Sequence, residues 1–123
     1  LTIRVDESLT YLNARWLEEY ILEQVAERPA LRHLVLMASA VNAIDASGLE
    51  SLEAINHRLG DGGVKLHLSE VKGPVMDRLK RAHFRDELTG RVFLSQDQAF
   101  AELALDTGEE PGPADPDAAM GMI

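Results

Sequence analysis

Ile44-Asp45-Ala46-Ser47-Gly48-Leu49 puts a carboxylate and a hydroxyl where a buried strand should hand over to an amphipathic helix. Two local readings fit these residues. In the first, Asp45 is the N-cap and Ser47 lies inside the first turn, beside N–H groups that have no partner within the helix and could face a phosphate. In the second, Ser47 is itself the cap and Glu50, three residues on, reaches back to it in a capping box. Both start a helix here, and both set a tight, Gly48-containing turn in front of it.

Downstream, Leu49, Leu52, Ile55, Asn56 and Leu59 recur at helical spacing and give the buried stripe of that helix, with Glu50, Ser51, Ala54 and Arg58 on the outer side. Gly60-Asp61-Gly62-Gly63 stops it. These glycines follow a helix and lack a Gly-Lys-Ser/Thr ending, so they form a C-cap and turn, not a phosphate loop. Upstream, Leu34-Val35-Leu36-Met37 is a short apolar run of the kind covered on both faces by helices. Before it, a helix begins at Asn13, buries Ala14, Leu17, Ile21 and Val25, and ends near Arg28 ahead of Pro29. Leu12 and Leu17 have the separation of a hydrophobic staple across its start. Leu1–Val5 and Leu9–Leu12, around a polar Asp6-Glu7-Ser8 turn, are expected to pair as two short strands.

Val64–Leu68 alternates with Lys65 and His67, which predicts a strand with one partly polar face or a place near an edge. Gly73-Pro74 opens a helix burying Val75, Met76, Leu79 and Ala82. Val92-Phe93-Leu94 is a last strand, and Ser95-Gln96-Asp97-Gln98 caps a helix through Phe100 and Leu103. The alternation of elements predicts one α/β domain over residues 1–105, a mixed sheet flanked by about four helices. Residues 106–123 are rich in acids, prolines and glycines and are expected to form a flexible acidic tail.

Composition narrows the function classes. With 123 residues the chain is one domain, and with no cysteine it has no disulfide or thiolate metal site. A net charge of −9 opposes sequence-independent nucleic-acid binding, which depends on neutralising phosphates. No apolar run approaches the roughly 18 residues that span a bilayer. His33, His57, His67 and His83 fall in separate elements, so a metal site would have to be assembled by tertiary contact, and none is expected. No Gly-x-Ser-x-Gly elbow accompanies Ser47, and neither catalysis nor a cofactor is expected.

Two surface features carry a binding reading. Trp16 and Tyr20, one turn apart, lie about opposite the Ala14/Ile21/Val25 stripe. They are either a second core edge over the N-terminal strands or anchors for a partner. Half of the basic residues, Lys72, Arg78, Lys80, Arg81, Arg85 and Arg91, fall between positions 72 and 91. That region is either a solvated face or a weak contact for a membrane surface or an acidic partner.

The Asp45-Ala46-Ser47-Gly48-Leu49 turn resembles the Asp-x-Ser-Gly-Leu loop of STAS domains, shared by bacterial anti-sigma-factor antagonists and the cytoplasmic tails of SulP-type anion transporters. Tyr11-Leu12-Asn13-Ala14 is similar to the entry of the first helix in the transporter branch, and Ser69-Glu70-Val71-Lys72-Gly73-Pro74-Val75 to that branch's strand-to-helix crossing. The resemblance implies a non-catalytic regulatory module on the cytoplasmic side of the plasma (inner) membrane, belonging to a transporter of sulfate or a related anion. Its implied partners are the transmembrane part of the same polypeptide or a second copy. Asp45, Ser47 and Gly48 would form the regulatory loop, and Trp16, Tyr20, Glu50, Ser51, Ala54 and Arg58 the candidate partner surface. The chain begins at Leu1 inside an expected strand, which fits a piece of a longer polypeptide or a chain that has lost its first residue. The alternative is a freestanding anti-sigma-factor antagonist switched by phosphorylation of Ser47.

Overall fold

The structure, a computed structural model, describes residues 1–10, 12–107 and 121–122. In chain order the elements are β1 (Thr2–Arg4), α1 (Ala14–Ala26), β2 (His33–Met37), α2 (Ala46–Asp61), β3 (Lys65–Ser69), α3 (Gly73–Arg81), α4 (Phe84–Glu87), β4 (Val92–Phe93), α5 (Gln96–Thr107) and β5 (Gly121–Met122). The sheet order is β4-β3-β2-β1-β5, and every pairing is parallel. The α/β class read from the alternation therefore holds, but among the described residues the sheet is parallel and not mixed.

The difference lies at the N-terminal hairpin. Leu9 makes a parallel bridge with Ile44 instead of pairing back on β1. Its N–H donates to the Ala43 carbonyl at 3.1 Å and its carbonyl accepts from Asp45 N–H at 3.0 Å. Parallel neighbours need long crossovers, and the helices supply them. The expected staple also fails, because Leu12 is 79% exposed while Leu17 is buried. Asn13 occupies the N-cap position of α1 without capping it. Its Oδ1 accepts from Thr10 N–H at 3.0 Å and its Nδ2 donates to the Ser8 carbonyl at 2.8 Å, so it braces the preceding turn.

Strand alternation sorts side chains to two faces. Ile3, Leu34, Leu36, Leu66 and Leu68 form the main core with Leu17 and Ile21 of α1, Leu52, Ile55 and Leu59 of α2, Val75 and Leu79 of α3 and Phe84 of α4. Removing each large side chain of this set from water is worth about 1.5–3 kcal/mol. The opposite face is smaller, with Val35 and Phe93 against Ala99 and Leu103 of α5. It is also the polar face foreseen for β3, although β3 lies between β2 and β4 and not at an edge. Ser69 Oγ donates to Gln96 Oε1 at 2.7 Å, and Gln96 Nε2 donates to Thr2 Oγ1 at 2.6 Å, which fastens α5 to the sheet.

His67 is 1% exposed on that face. Arg91 N–H donates to its Nδ1 at 2.9 Å, so a neutral His67 carries its proton on Nε2 and donates to His33 Nδ1, also at 2.9 Å. A Cβ on Gly90 would meet the Leu66 carbonyl oxygen at 2.3 Å, which is why glycine stands beside this ring. Asn56, on α2, accepts from Thr89 N–H at 3.0 Å and donates to the Glu87 carbonyl at 2.8 Å. Thr89 Oγ1 in turn accepts from Leu66 N–H at 3.0 Å. The short α4 has no counterpart in the pattern of apolar residues. It follows from His83, whose backbone is left-handed (φ 58°) and reverses the chain after α3.

α5 extends to Thr107, past the expected end of the domain at residue 105. The remainder of the expected acidic tail lies outside the described residues, except Gly121–Met122, which pair with Ile3 and Arg4.

Candidate functional site

The turn between β2 and α2 is held from three sides. Asp45 is extended (φ −91°, ψ −178°) and its Oδ1 accepts from Gly48 N–H at 2.8 Å, the geometry of an N-cap bonding the third helical residue. The first of the two local readings is therefore the one adopted: Ser47 is the second residue of α2, half-buried, and forms no capping box with Glu50. Gly48 is buried, and a Cβ there would stand 2.4 Å from the Leu9 carbonyl oxygen and 3.0 Å from Ile44 Cγ1. Glycine lets α2 start directly against the Leu9 backbone. Ser8 completes the frame, its Oγ accepting from Asn42 N–H at 3.3 Å and Ala43 N–H at 3.2 Å. Lys72, at the N-cap of α3, donates to Asn42 Oδ1 from the other side.

Ser8, Leu9 and Asn42 were not singled out as site residues by sequence reasoning, and Lys72 only as part of the basic region. Their roles depend on a parallel bridge between segments 35 residues apart, and Ser8 shows only as one more polar turn residue.

Glu50, Ser51, Ala54 and Arg58 lie on the outer side of α2 and continue from Ser47 along the helix. Arg58 Nη1 lies 3.5 Å from Glu18 Oε1 of α1. Trp16 is 50% exposed and stacks on Tyr20, ring centroids 5.3 Å apart and planes at 19°. Tyr20 also packs against the main core, so it is part core edge and part surface. Two residues apart on a helix are about 160° apart around its axis, so Trp16 and Glu18 take opposite flanks of α1. The structure thus gives two separate areas, an aromatic one on α1 and a polar one on α2 leading from Ser47.

The basic region spreads over α3, α4 and the start of β4. Lys80, His83, Arg85 and Asp86 line an open cleft of about 350 Å³, while Arg91 sits over the Phe93 ring and pairs with Glu102 at 3.2 Å. Among the described residues there is no cluster of His, Cys, Asp and Glu able to hold a metal, and no helix is long and apolar enough to cross a membrane.

A parallel sheet with this helix order, and a Ser-Gly helix start seated on the first loop, define a family. The STAS domain model matches residues 1–99, and the chain belongs to the STAS family. Over 121 residues it is 33% identical to Sulfate transporter 1.3 of Arabidopsis thaliana, covering 89% of this chain and 18% of that protein. A sulfate transporter family protein from Wolinella succinogenes superposes with a TM-score of 0.72 at 26% identity, over 85% of this chain and 86% of that one. A Thermotoga maritima protein named for the anti-sigma-factor antagonists superposes at 0.69 with 16% identity, over 79% and 80% of the two chains, and shares the fold. The chain is thus similar to a domain that makes up under a fifth of the plant transporter it matches.

Proposed function

We propose that this chain is the regulatory domain of a SulP-type transporter of sulfate or a related anion, carried on the cytoplasmic side of the plasma membrane and acting by contact, without catalysis. The observation that carries the reading is the 33% identity to a plant sulfate transporter along nearly the whole chain. The surface is suited to it. Ser47 stands half-buried at a helix start whose position is locked to the first loop, and a stacked aromatic pair with Trp16 half exposed lies on α1. Aromatic side chains of this kind dominate contact energies, and the transmembrane part or a second copy is the partner they would meet.

Ser47 is the point of control. A phosphate there adds a charge of about −1.5 to −2, which the helix N-terminus favours and Asp45 and Glu50 oppose, so its effects on folding largely cancel. A partner surface offers no such compensation.

The test is to read the encoding sequence upstream of Leu1 and then assay anion uptake by the full-length protein. A series of hydrophobic spans is expected upstream, with uptake altered in Ser47→Glu and surface expression unchanged. An initiation codon immediately before Leu1 would overturn the reading in favour of a freestanding antagonist.

A further inference from the structure

Positive charge in this domain is neutralised unevenly. On a chain with 21 Asp and Glu against 12 Lys and Arg, Arg4, Arg15, Arg28, Arg58 and Arg91 each lie within 4 Å of a carboxylate. Among the described residues, Arg78, Lys80, Arg81 and Arg85 have no such partner. All four belong to α3 and α4, on either side of the left-handed His83, where the buried Phe84 anchors the reversal. Asp77, Asp86 and Glu87 stand in the same two helices, but none lies within 4 Å of these cations, and Asp86 lies 3.9 Å from His83 instead. Elsewhere only Arg32 and Lys65, which adjoin where β2 and β3 begin, also lack a carboxylate or other side-chain acceptor. Against these four cations α3 and α4 carry three carboxylates, so a local positive excess remains, small in itself but opposite in sign to the chain's net charge of −9.

We propose that the α3–α4 turn docks on the phosphate-bearing headgroups of anionic lipid, with Lys80 and Arg85 reaching a headgroup across the open cleft and Arg78 and Arg81 adding to the attraction. A free phosphate ion is the poorer fit. The cleft is open, its His83 and Asp86 side chains are more than four-fifths exposed, and exposed flexible cations hold a single small ion weakly in water. A membrane presents many such groups on one surface, and attraction to it rises with each cation brought near. Charge also fixes the approach, because screening limits it to about 8–10 Å and the acidic remainder of the chain turns away from a negative surface. The choice of a membrane over a soluble acid rests on the proposed transporter reading, in which the domain is held beside one.

Amide signals of the whole 123-residue chain, recorded with lipid discs carrying spin-labelled headgroups, test this even for weak contact. Broadening confined to about residues 78–86 is expected with phosphatidylserine present, absent with phosphatidylcholine alone, and reversed by salt. Lys80→Ala and Arg85→Ala should each lower the apparent association about fivefold, and Arg15→Ala, which removes the same charge from α1, should leave it unchanged. Equal losses from all three would reduce the effect to bulk charge and overturn the site. Loss of broadening with inorganic phosphate, but not with chloride at matched ionic strength, would overturn the lipid as ligand. No broadening in this region would overturn the proposal outright, while the transporter reading would still be decided by the sequence upstream of Leu1.

Discussion

Asp45 Oδ1 and Gly48 N–H, 2.8 Å apart, divide the duties of the two polar residues in the α2 turn. Asp45 holds the helix start and Ser47 is left to the surface. Asp45→Ala should cost about 1 kcal/mol and Ser47→Ala less than about half of that in urea melts. A larger loss for Ser47 would make it the supporting residue. Gly48 is the least replaceable of the three, because a methyl group would meet backbone, the Leu9 carbonyl oxygen, which cannot swing aside as a side chain can. Gly48→Ala should cost at least about 2 kcal/mol, whereas Gly62→Ala, with 3.6 Å to the Leu59 carbonyl oxygen, should change stability by under about half a kcal/mol. That a cap stands here was legible from sequence because its chemistry is local, but Asp45 and Ser47 both fitted it, and the choice of Asp45 came only with the structure. The reason for Gly48 was not legible, since it lies in Leu9, whose place beside Ile44 no local pattern encodes.

Helix α1 and the seam between β3 and β4 show how elements divided into legible and hidden. Leu17 and Ile21 of α1 are buried as their spacing requires, and Trp16 is half exposed on another side. Trp16→Ala should cost less than about 1.5 kcal/mol, against about 3–5 for a core tryptophan, and the emission of the chain should be red-shifted and readily quenched. Protected, blue-shifted emission would remove the aromatic area as a partner surface. At the seam, periodicity placed the strands, and alternation with polar residues suggested a partly polar face or an edge, of which the sheet has the polar face on an interior strand. Alternation reports a polar face and says nothing of what lies beside the strand. His67 belongs there because the Arg91 N–H needs an acceptor. His67→Leu keeps the bulk and leaves that donor unpaired, so a loss of about 1–3 kcal/mol is expected, with faster hydrogen exchange at the Arg91 amide. Unchanged exchange would mean that the ring only fills space.

Across the whole molecule, helices α1 to α4 cover one face of the sheet and α5 the other. Within β1 to β4 the strand order never reverses, so no crevice of the kind that holds cofactors in doubly wound sheets opens between those neighbours. What such a molecule offers is its outside: a helix start, an aromatic flank and a cationic turn. The same strand order bears on how the chain is made. β2, β3 and β4 each join at the edge left by the strand before, and none is inserted between two already paired. A chain leaving the ribosome N-terminus first can therefore pair each strand as it emerges, with its crossover helix already behind it, and α5 closes the second face only after β4 has been added.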